Sequence, residues 1–115
     1  MNNRELGNKG EDLACEYLIK NGYEILERNK HFSKFCEIDI IAKYKNKIVF
    51  VEVKTRKTDA FGTPMEAITK TKYNNIKTGV LNYISECNIK NYQIDVIGIT
   101  LQPKLKIEHL KNVSL

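Results

Sequence analysis

The sequence has no tryptophan, only two prolines, and few residues that bind metals through nitrogen or sulfur. Its three cysteines, Cys15, Cys36 and Cys87, are far apart and form no C-x-x-C pair, and its two histidines, His31 and His109, stand alone. This pattern argues against a disulfide framework and against a zinc site. Three reduced cysteines are typical of a cytoplasmic protein.

Long apolar runs and low-complexity segments are also missing. No stretch of about 18 apolar residues could form a membrane-spanning helix, and the polar N-terminus lacks the apolar core of a signal peptide. The 115 residues contain no repeat and no linker rich in proline or glycine, so we expect a single domain over residues 1–115. The net charge of +5 favours a polyanionic partner, without distinguishing nucleic acid from acidic lipid.

Hydrophobic periodicity predicts the order helix, three strands, helix, two strands. The predicted helices cover residues 8–21 and 64 to about 86, and the predicted strands begin at residue 23 and cover 37–43, 47–55, 92–100 and 104–110. Because a crossover helix joins the third strand to the fourth, those two strands can pair in parallel. We therefore predict an α/β sandwich in which helices cover a mixed sheet.

Glu11 lies on the core-facing stripe of the first predicted helix, or at the edge of that stripe. It is reached from Leu18 through Cys15 and Ala14 at the helical spacing i, i+3, i+4 and i+7. A carboxylate on such a stripe is unusual and suggests a functional role. The alternative is that Glu11 occupies the first turn of the helix, where the helix dipole favours acidic residues.

The second predicted helix has a clear start signal. Thr63 can cap it, Pro64 suits its first position, and Glu66 completes a T-x-x-E capping box. One charged residue, Lys72, interrupts an apolar stripe formed by Met65, Ile68, Ile76, Val80 and Ile84. A long lysine side chain can extend from such a stripe to solvent, so the position does not by itself predict a site.

Charged residues also occupy the hairpin formed by the second and third predicted strands. A two-residue loop at positions 45 and 46 places Asp39 opposite Glu52, and Glu37 opposite Lys54. Like charges directly opposite each other destabilise a sheet, so something should offset the repulsion between Asp39 and Glu52. The alternative is a solvated strand end with surface ion pairs worth less than about 1 kcal/mol.

A divalent cation would offset this repulsion. Mg²⁺ prefers oxygen ligands and is usually held by one or two carboxylates plus substrate phosphate, so Asp39 and Glu52 match its requirements. Lys54 points to the same face of the sheet and supplies a positive charge that can orient a water molecule or stabilise charge on a phosphate. These three residues are typical of a phosphodiesterase.

The motif "EID" at 37–39, followed by "VFVEVKTR" at 49–56, resembles the PD-(D/E)xK motif of restriction-endonuclease-like nucleases. Two further segments, "GNKGEDLACEYLIKNGYEILERN" at 7–29 and "FGTPMEAI" at 61–68, extend the resemblance through the second helix. Together they make most of the chain similar to the YraN-type family of small bacterial proteins, which are predicted nucleases. The resemblance implies an αβββαβ core.

The resemblance also implies roles for individual residues. In Holliday-junction resolvases of this superfamily a glutamate of the first helix joins the catalytic acids, and Glu11 matches that position. The backbone carbonyl of Val53 would join Asp39 and Glu52 as a ligand of Mg²⁺ or Mn²⁺. Cys36 departs from the family, which usually has glycine before "EID", and this difference predicts a tighter approach of the backbone there.

The leading hypothesis is a nuclease that uses Mg²⁺ or Mn²⁺ to hydrolyse phosphodiester bonds in nucleic acid, with branched DNA as one candidate substrate. Its catalytic residues would be Asp39, Glu52, Lys54 and Glu11. The predicted nucleic-acid-binding residues are Arg56, Lys57, Lys70, Lys72 and Lys77. An enzyme that cuts junctions needs two sites, so in that case we expect a homodimer.

Two other functions fit parts of the pattern. The first is a non-catalytic nucleic-acid-binding or scaffold protein on the same fold. The second is a phosphoryl enzyme that acts on a small nucleotide, although no glycine-rich phosphate loop supports it, since "GNKG" at 7–10 follows no predicted strand.

Overall fold

The computed structural model describes residues 1–34, 36–60 and 62–114, which form two α-helices and a five-stranded sheet. Phe61, the first residue of the "FGTPMEAI" segment, lies outside the described residues. The elements are α1 (Asn3–Lys20), β1 (Glu24–Ser33), β2 (Cys36–Tyr44), β3 (Lys47–Arg56), a short 3₁₀ helix (Met65–Ala67), α2 (Lys70–Glu86), β4 (Tyr92–Thr100) and β5 (Lys106–Leu110).

The strands lie in sequence order across the sheet. Strands β3 and β4 pair in parallel, and every other neighbouring pair is antiparallel. The parallel pair is the one that α2 connects, as the crossover predicts. The predicted α/β architecture with a mixed sheet is confirmed, and it is compatible with a restriction-endonuclease-like core.

Each face of the sheet buries its own apolar cluster, because alternate residues of a strand point to opposite faces. Strand β2 breaks this alternation between Ile38 and Ile40, which belong to different clusters. Helix α1 covers the face formed by Ile40, Ala42, Val49, Val51, Ile97 and Ile99. Helix α2 covers the face formed by Ile38, Ile41, Phe50, Ile94 and Val96. Neither helix in the described part of the chain has the length and apolar surface needed to cross a bilayer.

Helix α1 begins earlier than predicted. It starts at Asn3 rather than at residue 8, because the side chain of Asn2 caps it by accepting a hydrogen bond from the N–H of Glu5 at 2.8 Å. The earlier start adds more than one turn to the N-terminal end of the helix. The predicted end is close to the observed end at Lys20.

Helix α2 begins later than predicted, so the predicted start at Pro64 is wrong. Pro64 precedes only the short 3₁₀ helix, and it packs closely on β4, where a Cβ on Gly98 would lie 2.1 Å from its Cγ. Ile68 then follows in an extended conformation and is buried, which ends the 3₁₀ helix. Thr69 caps α2 instead, and its hydroxyl accepts a hydrogen bond from the N–H of Lys72 at 3.1 Å.

The hairpin of β2 and β3 has the predicted register near its loop. Tyr44 pairs with Lys47, and Ile41 pairs with Phe50. Lys45 has a positive φ of 55°, which a two-residue hairpin loop requires.

The open end of the same hairpin differs from the prediction. Among the described residues, the ladder between β2 and β3 ends at the pair Ile40 and Val51. The predicted pairs beyond it, Asp39 with Glu52 and Glu37 with Lys54, are therefore wrong. Repulsion between the two carboxylates opposes their direct pairing. Past this point β2 continues along β1 and β3 continues along β4, so the sheet splits between its second and third strands.

Candidate active site

An open cleft of about 310 Å³ lies where β2 and β3 separate. Its lining residues are Asn3, Leu6, Gly7 and Glu11 from α1, Asp39 from β2, Glu52, Val53, Lys54 and Thr55 from β3, and Lys72 from α2. The two helices cover opposite faces of the sheet, and the split allows side chains from both to reach one space. The cleft brings together all four residues that the sequence predicts to be catalytic.

The carboxylate of Asp39 takes the place of a ladder hydrogen bond. Its Oδ2 accepts a hydrogen bond from the backbone N–H of Val53 at 2.8 Å. In an extended strand the N–H and C=O of one residue point to the same side, so the carbonyl of Val53 also faces β2 across the split. The Asp39 carboxylate and the Val53 carbonyl therefore point to the same gap.

Glu52 is the most deeply buried charged residue of the cleft. It is 3% exposed, and its Oε1 has no hydrogen-bond partner among the described residues. The pKa of Glu52 is raised from 4.5 to about 8. Burial is the largest cause, and the negative charge of Asp39 and a hydrogen bond with the Asp39 carboxyl group raise the pKa further. A buried carboxylate with an unpartnered oxygen is poorly stabilised as an anion unless a positive charge compensates for it.

Two ammonium groups lie beside Glu52. The Nζ of Lys72 is 3.6 Å from Oε2 of Glu52, and the Nζ of Lys54 is 4.0 Å from the same oxygen. Both lysines lower the pKa of Glu52, but burial and Asp39 outweigh them. The contact of Lys72 with the buried acid is not predicted from the sequence, where the only signal is a single charge on an apolar helix stripe.

Glu11 also lies at the cleft, in the middle of α1. Its side chain is 14% exposed, and its Oε1 is 3.7 Å from Nη2 of Arg28 in β1. Burial, and after it the charge of Asp39, raises the pKa of Glu11. The alternative interpretation, that Glu11 occupies the first helical turn, is wrong because α1 already begins at Asn3.

Gly10 allows α1 to approach the site. This residue is buried, and a Cβ at its position would lie 1.6 Å from Oγ1 of Thr55 in β3. The backbone of α1 can therefore pack against β3 only if residue 10 has no side chain, and this contact brings Glu11 to the cleft. Glycine inside a helix is unfavourable relative to alanine, which is the sequence signal that could have identified this position.

The guanidinium of Arg56 is engaged in contacts within the fold. It donates hydrogen bonds to Oγ1 of Thr100 at 3.3 Å and to the carbonyl of Gly62, and it lies 3.8 Å from a carboxylate oxygen of Glu108. These contacts connect the end of β3 to β4, to β5 and to the segment before α2. Arg56 lies outside the residues that line the carboxylate cleft.

The other predicted nucleic-acid-binding residues occupy different surfaces. Lys70 is exposed at the start of α2, two residues before Lys72. Lys57 lines a separate groove of about 410 Å³ that is formed mainly by leucines, and no carboxylate is among its described lining residues. Lys77 is exposed on α2 and lines a third pocket, next to Tyr73. Of the five predicted residues, Lys72 is the one that lines the carboxylate cleft.

The oxygen atoms available for a metal are few. Within residues 1–34, 36–60 and 62–114, no three histidine, cysteine, aspartate or glutamate side chains are close enough to form a metal site by themselves. The carboxylates of Asp39 and Glu52 and the carbonyl of Val53 form a smaller set of hard oxygen donors. Such a set suits Mg²⁺ or Mn²⁺, because these ions keep several water or substrate ligands.

Comparison with known sequences identifies relatives of this chain. The family model described as "Uncharacterised protein family UPF0102" matches residues 10–99. The chain belongs to the UPF0102 family. The resemblance to the YraN-type family is thereby confirmed, and the UPF0102 match includes Gly10, Glu11, Asp39, Glu52, Lys54 and Lys72.

Relatives in the UPF0102 family match nearly the full length of the chain. A UPF0102 protein of Caldicellulosiruptor saccharolyticus is 49% identical, over 97% of this chain and 98% of its own length. A UPF0102 protein of Caldanaerobacter subterraneus subsp. tengcongensis is 45% identical, over 98% of this chain and 94% of its own length. A UPF0102 protein of Syntrophomonas wolfei subsp. wolfei is 43% identical, over 96% of this chain and 97% of its own length.

Proposed function

We propose that this UPF0102 protein is a metal-dependent nuclease that hydrolyses phosphodiester bonds in nucleic acid. The observation that carries the proposal is the state of Glu52, which is 3% exposed, has one unpartnered oxygen and lies beside the carboxyl group of Asp39. This arrangement makes the carboxylate form of Glu52 unfavourable relative to the protonated form. Strongly raised carboxyl pKa values in clefts are typical of functional sites.

The residues of the cleft fit a divalent cation. The carboxylates of Asp39 and Glu52 and the carbonyl of Val53 would hold Mg²⁺ or Mn²⁺, and Oε1 of Glu52 is a buried oxygen without a hydrogen-bond partner among the described residues. When bound, such a cation supplies Lewis-acid stabilisation of the phosphate and lowers the pKa of water. It would also compensate for the two negative charges that the split sheet brings together.

The remaining cleft residues would act on the phosphate and on protons. In hydrolysis a water oxygen forms a bond to phosphorus, the bond to the leaving sugar oxygen breaks, and that oxygen takes up a proton. The ammonium group of Lys54, 4.0 Å from Glu52, would orient the water or stabilise charge on the phosphate oxygens. Glu11, whose pKa is raised by burial and by Asp39, would exchange a proton with the water or the leaving group.

DNA is the first substrate to test, and branched DNA is included because of the resemblance to junction resolvases. The net charge of +5 favours binding of a nucleic-acid backbone. Cleavage of both strands at a junction would require two clefts, and hence a homodimer. Lys70 and Lys72, at the start of α2, are the candidate residues nearest to the cleft that would contact the backbone.

A cleavage screen tests the proposal. Labelled junction, flap, duplex and single-stranded DNA, and RNA, are incubated with wild type, Asp39→Asn and Asp59→Asn in Mn²⁺, Mg²⁺ or EDTA. Asp59 is exposed and lies outside the residues that line the cleft, so Asp59→Asn is a control with the same charge change. We expect cation-dependent cleavage by wild type and the control, and a loss of at least about 100-fold in Asp39→Asn.

One outcome would favour the second candidate function. If wild type binds nucleic acid but cleaves no substrate with either cation, and Asp39→Asn binds equally well, the nuclease proposal is contradicted. The protein would then be a non-catalytic nucleic-acid-binding or scaffold protein.

A further inference from the structure

Lys72 lies on helix α2 and contacts the buried acid Glu52, which lies on strand β3. Its backbone N–H donates to the capping hydroxyl of Thr69 at 3.1 Å, so the first turn of α2 fixes the base of its side chain. Its Nζ is closer to Oε2 of Glu52 than the Nζ of Lys54 is, at 3.6 Å compared with 4.0 Å. The side chain is 40% exposed, so the ammonium group contacts both the buried oxygen and the open cleft.

A divalent cation on Glu52 would compete with Lys72 for the same carboxylate. Lys72 lies against Oε2, and the other oxygen, Oε1, is buried without a hydrogen-bond partner in the described chain. A cation bound to this small group would stand close to the lysine ammonium, where like charges repel strongly in a partly buried site. The long, flexible and half-exposed lysine stem can move away, whereas Glu52 cannot.

We propose that the ammonium group of Lys72 occupies the position beside Oε2 of Glu52 in the cation-free protein, and that it moves to a phosphate of bound nucleic acid when a divalent cation replaces it. This inference rests on the proposed nuclease function. The cleft of about 310 Å³ next to Lys72 provides space for the phosphate. The phosphate gives the displaced ammonium group a new anionic partner.

The exchange gives Lys72 opposite effects on the affinities for two ligands, the divalent cation and the nucleic acid. Without nucleic acid, Lys72 weakens cation binding, because the cation must displace it from Glu52. With nucleic acid, Lys72 strengthens phosphate binding and no longer competes with the cation. The two ligands should therefore bind cooperatively, and each should raise the affinity of the other by the same factor.

The substitution Lys72→Met tests this inference, because it removes the charge and keeps an unbranched apolar stem. Lys70→Met is the matched control for cation binding, since Lys70 is exposed on the same helical turn and lies outside the residues that line the cleft. Mn²⁺ affinity is measured by calorimetric titration, first with protein alone and then with a phosphorothioate oligonucleotide, which keeps its charge and resists hydrolysis. We expect Lys72→Met to bind Mn²⁺ roughly five- to tenfold more tightly than wild type or Lys70→Met when no oligonucleotide is present.

With Mn²⁺ present, we expect Lys72→Met to bind the oligonucleotide roughly fivefold more weakly than wild type, and the cooperativity to decrease. A second measurement uses wild type and does not depend on how the variant folds. Acetylation of lysine amines, followed by mass spectrometry, should show faster labelling of Lys72 after Mg²⁺ is added and protection when the oligonucleotide is also bound. Labelling of Lys70 should not respond to Mg²⁺ alone.

The outcomes separate this inference from the proposed function. If Lys72→Met binds Mn²⁺ no more tightly than Lys70→Met, or if Mg²⁺ leaves the labelling of Lys72 unchanged, the exchange of Lys72 is overturned. The nuclease proposal then stands as long as wild type binds the cation and cleaves a substrate. A wild type that neither binds the cation nor cleaves overturns both.

Discussion

At the residue scale, the site depends on the contrast between Asp39 and Glu52. Asp39 is half-buried and accepts a hydrogen bond from Val53, whereas Glu52 is 3% exposed and has an unpartnered oxygen. Strand alternation is enough to predict that Glu52 and Lys54 share a face. It cannot predict how deeply Glu52 is buried or that Lys72 contacts it, because both depend on how α2 packs against the sheet.

The raised pKa of Glu52 predicts a pH dependence of stability. Its pKa is about 8 in the folded protein and near the ordinary 4.5 when unfolded, so between these values the folded state holds a proton that the unfolded chain has lost. The free energy of unfolding should therefore fall as pH rises from about 4.5 to 8. Glu52→Gln is neutral throughout, so it should match wild type near pH 4 and be more stable at pH 9.

Urea unfolding in EDTA measures this difference. The gain at pH 9 should be on the order of 1.4 kcal/mol for each unit by which folding raises the pKa. Glu16→Gln, on the exposed surface of α1, is the control and should follow the pH profile of wild type. Parallel profiles for wild type and Glu52→Gln would show that Glu52 does not hold a proton in the folded state.

Lys54→Ala should separate cation binding from turnover. The proposed role of Lys54 is on the water or the phosphate, and its Nζ is 4.0 Å from Glu52, farther than the Nζ of Lys72. We expect Lys54→Ala to bind Mn²⁺ at least as tightly as wild type, because a nearby positive charge is removed, and single-turnover cleavage to fall by about 100-fold or more. Lys54→Arg should restore little activity, because a guanidinium differs in shape and hydration from an ammonium. Full activity of Lys54→Ala would remove this residue from the mechanism.

At the scale of secondary structure, the strands are more predictable than the helix starts. Strand β4 coincides with the predicted 92–100, because its apolar run lies between clear turn signals. The start of α2 is mispredicted because the capping signal at Thr63 belongs to the short 3₁₀ helix. The hydroxyl of Thr63 accepts a hydrogen bond from the N–H of Glu66 at 3.4 Å, within that helix. The buried, extended Ile68 then separates that turn from α2, and this depends on packing against the sheet.

The approach of α1 to β3 predicts opposite effects at two glycines of the same helix. A Cβ on Gly10 would overlap Thr55, whereas a Cβ on Gly7 would have no heavy atom within 4 Å. Gly10→Ala should therefore lower the free energy of unfolding by about 1 to 3 kcal/mol, because α1 must move away from β3. Gly7→Ala should raise it by about 0.5 to 1 kcal/mol, as for alanine in place of glycine inside a helix.

Chemical denaturation of Gly10→Ala, Gly7→Ala and wild type measures these two changes in the free energy of unfolding. Gly10→Ala should also weaken cleavage, since displacement of α1 moves Glu11 away from Asp39. A Gly10→Ala protein as stable as Gly7→Ala would contradict the close packing of α1 on β3.

At the scale of the whole molecule, the split of the sheet creates the site. The apolar clusters lie on opposite faces, one under α1 and one under α2, so side chains of the two helices would not normally meet. The ladder between β2 and β3 ends at Ile40 and Val51, and the cleft beyond it receives Glu11 from one helix and Lys72 from the other. Hydrophobic periodicity predicts that helices cover the sheet, but it does not predict that β2 and β3 separate. At that point the side chain of Asp39 accepts the hydrogen bond from the N–H of Val53 in place of a backbone carbonyl of β2.

A cation bound by the native protein must also stabilise it, and this can be tested without knowing the substrate. The measurement is the melting temperature of wild type, Asp39→Asn and Asp59→Asn with increasing Mn²⁺ or Mg²⁺. Wild type and Asp59→Asn should melt roughly 10 °C higher at a cation concentration 100-fold above Kd. Asp39→Asn relieves the repulsion with Glu52, so it should be at least as stable as wild type in EDTA, yet gain little from the cation. A wild type whose melting temperature does not respond to either cation, or an equal rise in Asp39→Asn, would contradict a cation site at Asp39 and Glu52.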